Sequence, residues 1–258
     1  MQHSADLLSG QGTASIRADD IAAARDIQMS ILPPEMPLVP GYDLYGFLRP
    51  AAETGGDMFD LVELEQGTFI LLGDATGHGF GPALCATQMQ AMFRVAFRVG
   101  ASLDDAYIHV NNQLDEDLPD DRFVTAFAGF LDAASHRISY FSAGQGPILH
   151  YRAVEQDCVW YGPTTFPLGT MAVDLAGPTR FLPMLAGDVL AVLSDGVYEY
   201  EGRDNIFGKQ RVAALVTALA DGPMSALASR LLESLFEFGD GASQSDDITI
   251  VLVKRSAD

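Results

Sequence analysis

The chain has 258 residues, of which 48% are apolar and 19% charged, the balance of a folded, enzyme-sized globular protein. Fifteen basic against 35 acidic residues give a formal charge of −20, which argues against nucleic acid or an anionic membrane as partner and suits divalent cations. Two cysteines, Cys85 and Cys158, cannot build a disulfide framework, no apolar run approaches the roughly 20 residues of a membrane span, and no charged-then-apolar signal segment opens the chain, so a reducing cytoplasm is expected.

Residues 1–15 are small and polar without a sustained period and are expected as a disordered tail. From Ile16 to Leu32 apolar residues recur at helical spacing (Ile21, Ala24, Ile27, Ile31) until Pro33-Pro34 stops the helix. Residues 16–33 are therefore expected as an amphipathic linker or regulatory helix, either packed on the core or serving to dimerise the domain or couple it to a sensor, with the main domain at 34–258. Three strands follow at Tyr42 to Arg49, Met58 to Glu65 and Thr68 to Gly73, with Glu65-Gln66-Gly67 as a hairpin turn and antiparallel pairing expected from the short connections. Two helices are predicted at Pro82 to Arg98 and Leu103 to Leu118. Further strands are predicted at Phe123 to Leu131, Arg137 to Phe141, Ile148 to Arg152, Phe181 to Leu185 and Val189 to Leu193. Helices at Lys209 to Leu219 and Met224 to Phe238 precede a last strand from Asp247 to Lys254. Strands in runs and helices in runs point to an α+β fold, a layered α-β-β-α sandwich of two antiparallel sheets flanked by helices.

Four loops each deliver an aspartate to a strand end: Gly55-Gly56-Asp57, Leu72-Gly73-Asp74, Leu193-Ser194-Asp195-Gly196 and Ser245-Asp246-Asp247. The second continues as GDATGHGFG, in which Gly77, Gly79 and Gly81 make a tight turn accessible. Any one Asp-Gly pair is a common turn, but four carboxylates gathered at a sheet edge repel one another unless a cation neutralises them. An oxygen-only donor set suits Mg²⁺ or Mn²⁺, whereas the five histidines (positions 3, 78, 109, 136 and 150) have no zinc-ligand spacing.

These loops stand within an ordered set of motifs: RPAAETGGD at 49–57, GDATGHG at 73–79, FVTAFAGFLD at 123–132, SAGQGP at 142–147, FPLG at 166–169, GDVLAVLSDGVYE at 187–199, FGKQR at 207–211 and SDDITIVLV at 245–253. The set, spread over residues 22 to 255, resembles the SpoIIE/RsbU-type bacterial branch of the metal-dependent protein serine/threonine phosphatases (PPM, type 2C). The resemblance implies two antiparallel sheets flanked by helices and a site for two Mn²⁺ or Mg²⁺ ions. Asp74 would bridge the two ions and the Ala75 carbonyl would complete the second, Asp195 and Asp246 would bind the first, and Asp57 would complete the metal set close by, through water. Asp74, Asp195 and Asp246 are thus the expected catalytic set, with Asp247 as a hydrogen-bond partner behind it. His78 lies four residues after Asp74, where other members of the family place a proton-donating histidine two residues on, so loop structuring stands beside proton donation for it. Gln145 stands where the branch commonly carries histidine. The implied substrate is a phosphoserine or phosphothreonine on a regulatory protein, a STAS-type anti-sigma-factor antagonist. A phosphatase-like module that only binds a partner is the other reading, and a Mg²⁺-dependent nucleotide hydrolase lacks its G-x-x-x-x-G-K-[ST] loop here.

Overall fold

A computed structural model describes residues 10–77, 79–174 and 179–257, with side chains of the first helix described from Asp19 onward. Helix α1 (Gly10–Ile31) leads into β1 (Tyr42–Arg49), β2 (Asp57–Leu64) and β3 (Gly67–Ala75). Helices α2 (Phe80–Arg98) and α3 (Leu103–Asp117) follow, then β4 (Val124–Asp132), β5 (Arg137–Ala143), β6 (Ile148–Arg152), β7 (Asp157–Tyr161), β8 (Arg180–Pro183) and β9 (Val189–Leu193). The short helix α4 (Asp195–Tyr198), then α5 (Lys209–Leu219) and α6 (Met224–Gly239), precede the last strand, β10 (Ile248–Arg255). Residues 1–9 of the expected tail lie outside the described residues, and α1 takes in residues 10–15.

The strands form two five-stranded sheets, ordered β1-β10-β9-β6-β7 and β2-β3-β4-β5-β8, with every ladder between named strands antiparallel. The layered sandwich expected from the sequence is therefore the fold. One expected pairing differs: β1 and β2 are consecutive yet lie in different sheets, because β1 pairs with the last strand, β10. The connection at 50–56 thus crosses between sheets instead of closing a hairpin.

Side-chain alternation builds three cores from the two sheets. In β3, Phe69 and Leu71 point towards α2 and α3, while Ile70 and Leu72 point towards the other sheet. In β10, Ile248, Ile250 and Leu252 pack under α5 and α6, while Val251 and Val253 enter the layer between the sheets. Both faces of each central strand are buried, which is why these strands read as unbroken apolar runs. Phe69, Phe97 and Phe130 form an aromatic cluster under α2, with ring centroids 4.7 and 4.8 Å apart about Phe97. The buried Asp60 of β2 receives Arg94 Nε at 2.5 Å and Arg94 Nη2 at 2.7 Å, which locks α2 onto its sheet.

The packed sheets bring the start of β2, the end of β3, the end of β9 and the start of β10 to one edge of the sandwich. That edge holds the four aspartate-bearing loops.

Candidate metal centre

Asp57 and Asp74 are cross-strand neighbours in the β2–β3 ladder, and Thr125 is paired with Asp74 on its other side. Gly77 and Gly79, in the loop after β3, take positive φ values of 94° and 86°, which lets the chain turn sharply from β3 into α2. In the other sheet, Ser194 follows β9: its N–H donates to the Thr249 carbonyl at 3.1 Å and its hydroxyl receives the Thr249 N–H at 2.9 Å. The same hydroxyl donates to the Asp247 carbonyl at 3.2 Å, so Asp195, at the first position of α4, is held against the start of β10. Gly196 is required there, because a Cβ would lie 2.0 Å from the Asp247 carbonyl oxygen.

Asp74, Asp195 and Asp246 all line a cavity of about 360 Å³ with Thr76, Gly77, Phe123, Thr125 and Ser245. No lysine or arginine is among these lining residues. Arg122 stands behind the rim, its Nη1 3.4 Å from the Thr76 carbonyl oxygen. Asp57 and Asp247 do not line the cavity. Asp57 is buried, and its carboxylate receives the Thr249 hydroxyl at 2.5 Å, a bond that ties one sheet to the other. Asp247 receives the Ala51 N–H at 2.7 Å and the Asp57 N–H at 3.2 Å, fastening the 50–56 connection to β10. The Ala75 carbonyl faces Gly56, where a Cβ would stand 2.5 Å from it, and Ala75 is not among the lining residues. His78 lies outside the described residues.

The electrostatics follow from this crowding. Burial, and after it the charges of Asp195, Asp246 and Asp247, push the Asp74 carboxyl up to about 7 from 3.8. Asp57 is held well above the usual carboxylate range by burial, then by Asp74 and Asp247, against the opposing hydrogen bonds from Thr249 and Ser194. Asp195 is raised by burial and then by Glu199. The Tyr198 hydroxyl, which donates to the Gly146 carbonyl at 3.0 Å, is raised by burial and then by Asp195 and Glu199. Among the described residues no three acidic, histidine or cysteine side chains already enclose a common point as ligands would. Three carboxylates on one cavity, with no cation lining it, nevertheless form the oxygen-only donor set that fits a hard divalent ion.

Sequence reasoning singled out Gln145 without giving it a partner and missed Thr249, the two polar residues that brace the sheets beside these aspartates. Gln145, buried, donates from Nε2 to the Leu193 carbonyl at 2.9 Å, and its Oε1 receives the Thr125 hydroxyl at 3.0 Å. It therefore bridges the two sheets beside Asp74 and Asp195. The amide offers one donor and one acceptor, the pair that a neutral imidazole also offers. Thr249 could have been found as the one polar residue in the apolar run Ile248 to Val253.

A family model described as "Stage II sporulation protein E (SpoIIE)" matches residues 65–256. The phosphoserine phosphatase RsbU of Bacillus subtilis (strain 168) is 20% identical over 236 residues, which cover 92% of this chain and 70% of that protein. Two further relatives are spanned over only 42% and 51% of their own length. Among solved structures, the RsbU and RsbW domains of Rv1364c from Mycobacterium tuberculosis superpose with a TM-score of 0.75 at 28% identity, covering 86% of this chain and 62% of that one. The SiaA-PP2C domain of Pseudomonas aeruginosa superposes with a TM-score of 0.79 at 21% identity, covering 94% of this chain and 98% of that one.

Proposed function

The chain belongs to the SpoIIE family, and from that premise we propose that it is a metal-dependent protein serine/threonine phosphatase. The observation that carries this reading is the convergence of Asp74, Asp195 and Asp246, from strand ends of two different sheets, on one cavity without a lining cation. Asp74, Asp195 and Asp246 would hold two Mn²⁺ or Mg²⁺ ions, with the Ala75 carbonyl and Asp57 close behind. Bound there, such ions supply a water of lowered pKa and neutralise phosphoryl oxygens, so that no covalent protein intermediate is needed.

The residues of the chain prepare the site for that chemistry. Asp74 must release its proton to act as a ligand, and its raised pKa makes this release a condition of binding. Asp247 takes no place on the cavity wall, but by receiving two backbone N–H groups it holds the start of β2 in register with β10. Gln145 and Thr249 join the two sheets, so the ligands carried by each keep a common frame. A dianionic phosphomonoester fits a cavity whose acidic wall is neutralised by ions, and a net charge of −20 disfavours a polyanion such as RNA.

The substrate we propose is a phosphoserine or phosphothreonine on a small regulatory protein, a STAS-type anti-sigma-factor antagonist. RsbU, named a phosphoserine phosphatase, supports the phosphoserine class. Helix α1 stands at the N-terminal side of the domain, where it would join the site to a sensor or to a second copy. None of the described helices is long and apolar enough to cross a membrane.

Phosphate release from a phosphoserine peptide, with Mn²⁺ and with excess chelator, tests the reading. Turnover with Mn²⁺ that chelator abolishes is expected; turnover that survives chelator, or none in either condition, overturns it, the latter in favour of a module that only binds its partner. Phosphorylated STAS proteins followed by mass spectrometry test the partner separately: loss of phosphate from a generic peptide but from none of them defeats the partner assignment alone.

A further inference from the structure

Arg122 lies on the connection from α3 to β4, and that connection is sewn to the loop after β3. The Thr76 N–H donates to the Phe123 carbonyl at 3.1 Å and the Thr76 hydroxyl donates to the same carbonyl at 2.9 Å. The Phe123 N–H donates back to that hydroxyl at 3.0 Å, and the Arg122 N–H closes the connection on the Pro119 carbonyl at 2.9 Å. The backbone of Arg122 therefore keeps a fixed place beside Thr76 and Gly77, both of which line the acidic cavity. Glycines make the room for its side chain: a Cβ on Gly81 would stand 3.3 Å from Arg122 Nη1, and one on Gly77 3.9 Å from it. The guanidinium thus lies along the outside of the cavity rim, between the end of β3 and the first turn of α2.

This guanidinium is half-buried, and among the described residues its one hydrogen bond is a long one, 3.4 Å from Nη1 to the Thr76 carbonyl oxygen. Arg25, Arg94, Arg152, Arg203 and Arg230 each hold a carboxylate, whereas Arg122 has none within 4 Å among the described residues. A planar fork of five N–H donors matches a carboxylate with two parallel bonds. Left unpaired and half out of water it costs free energy, which an arriving partner recovers. The aspartates of the cavity are not that partner, since Thr76 and Gly77 line the cavity and Arg122 does not. Nor is the phosphoryl group, whose place is on ions held by those aspartates. The group that meets Arg122 must be carried by the substrate chain as it leaves the cavity.

We propose that Arg122 is a specificity-determining residue that receives the side-chain carboxylate of an aspartate or glutamate close in sequence to the phosphoserine or phosphothreonine. An extended chain advances about 3.3 Å per residue, so a carboxylate within about three residues of the phosphorylated side chain reaches the rim. The attraction is local and opposes the rest of the surface: a net charge of −20 repels acidic chains at a distance, and the fork rewards only the one carboxylate that meets it. The inference rests on the phosphatase reading above and adds to it the class of sequence that the site accepts.

The test gives the full chain, with Mn²⁺, a series of phosphoserine peptides that differ only in one glutamate moved through the positions on either side of the phosphoserine. A peptide with glutamine at all of these positions is the reference. The quantity read is kcat/KM for each peptide relative to the reference, in the wild type, Arg122→Gln and Arg122→Glu. In the wild type a glutamate at one position is expected to raise kcat/KM by about tenfold, mainly through KM, and added salt should shrink that preference. Arg122→Gln keeps a donor for the Thr76 carbonyl but removes the charge, and the preference should disappear. In Arg122→Glu it should turn into discrimination against glutamate at that same position. All peptides meet the same protein, so an unfolded fraction cancels in the ratio. A preference that survives in Arg122→Gln, or a loss equal for every peptide, complete inactivity included, overturns the proposal. A wild type that turns over all peptides alike leaves the phosphatase reading standing and removes only the role of Arg122, whereas a wild type that turns over none defeats both.

Discussion

Replacing Asp74 by asparagine should stabilise the metal-free protein while removing its capacity for metal. Asp74 has a carboxyl raised from 3.8 to about 7 by burial and by Asp195, Asp246 and Asp247. A carboxyl whose folded pKa is raised holds its proton more tightly in the fold than in the unfolded chain. Its stabilising contribution is complete below about pH 4 and is lost as the pH rises through about 7. The shift of about three units, at about 1.4 kcal/mol each, sets an upper bound of about 4 kcal/mol of strain at pH 8. Local relaxation around a cluster of interacting carboxylates leaves about half of that. Asparagine has nearly the same shape and no charge, and it also relieves Asp57, on which Asp74 acts directly. In chelator at pH 8, Asp74→Asn should therefore melt higher than the wild type by about 4–8 °C, at about 2–4 °C per kcal/mol for a domain of this size. The gap should close towards pH 4. With Mn²⁺ at a hundredfold excess over Kd the order reverses, because the wild type gains about 2.7 kcal/mol from binding and the variant does not. Calorimetric melting curves between pH 4 and 8, with and without Mn²⁺, decide it. A variant that melts below the wild type in chelator, or a gap that does not change with pH, would refute the account of the acidic cluster.

Mn²⁺ affinity should rise with pH by up to about tenfold per unit until about pH 7 and then level off, because the ion displaces the proton on Asp74; titration in buffers of different ionisation enthalpy counts that proton. Gln145→Ala should cost about 1–3 kcal/mol in denaturant melts, since it strands the Thr125 hydroxyl and the Leu193 carbonyl, and Gln145→His should recover most of the loss. Equal stability of the alanine and histidine variants would remove Gln145 from the brace between the sheets. Asp195→Asn should keep the circular dichroism of the wild type and lower kcat at saturating Mn²⁺ by about a hundredfold or more, and a wild-type rate would take Asp195 out of the candidate site. Gly196→Ala places a Cβ 2.0 Å from a backbone oxygen that cannot turn aside, so a loss of about 3 kcal/mol or more is expected, read from denaturant melts.

Much of this architecture was legible in the sequence because its physics is local. The apolar run Phe69-Ile70-Leu71-Leu72, with Glu65-Gln66-Gly67 marking the turn before it, read as a strand, and the fold buries it on both faces. Where local signals were weak, the reading fell short. Strand β7 went unpredicted because the turn at 153–156 reverses without glycine or proline, using Gln156 at a φ of 53° instead. The short helix α4 was missed because its four residues are too few to show a period. Sequence order also suggested that β1 and β2 pair, whereas β1 takes the edge beside β10; which strand completes a sheet depends on long-range packing between residues some two hundred positions apart.

The candidate site divides in the same way. Four aspartate-bearing loops could be recognised from their turns and their motif order, since a strand end followed by glycine is written in neighbouring residues. Only the tertiary structure decided that Asp74, Asp195 and Asp246 face one cavity, while Asp57 and Asp247 turn inward to join the sheets. The same holds for Gln28, which reads in the sequence as one polar residue on an amphipathic helix and in the fold becomes the partner of Gly55. Nothing in the residues around Gln28 specifies that pairing, because the group it satisfies lies 27 positions away and comes within reach only when the sandwich has closed.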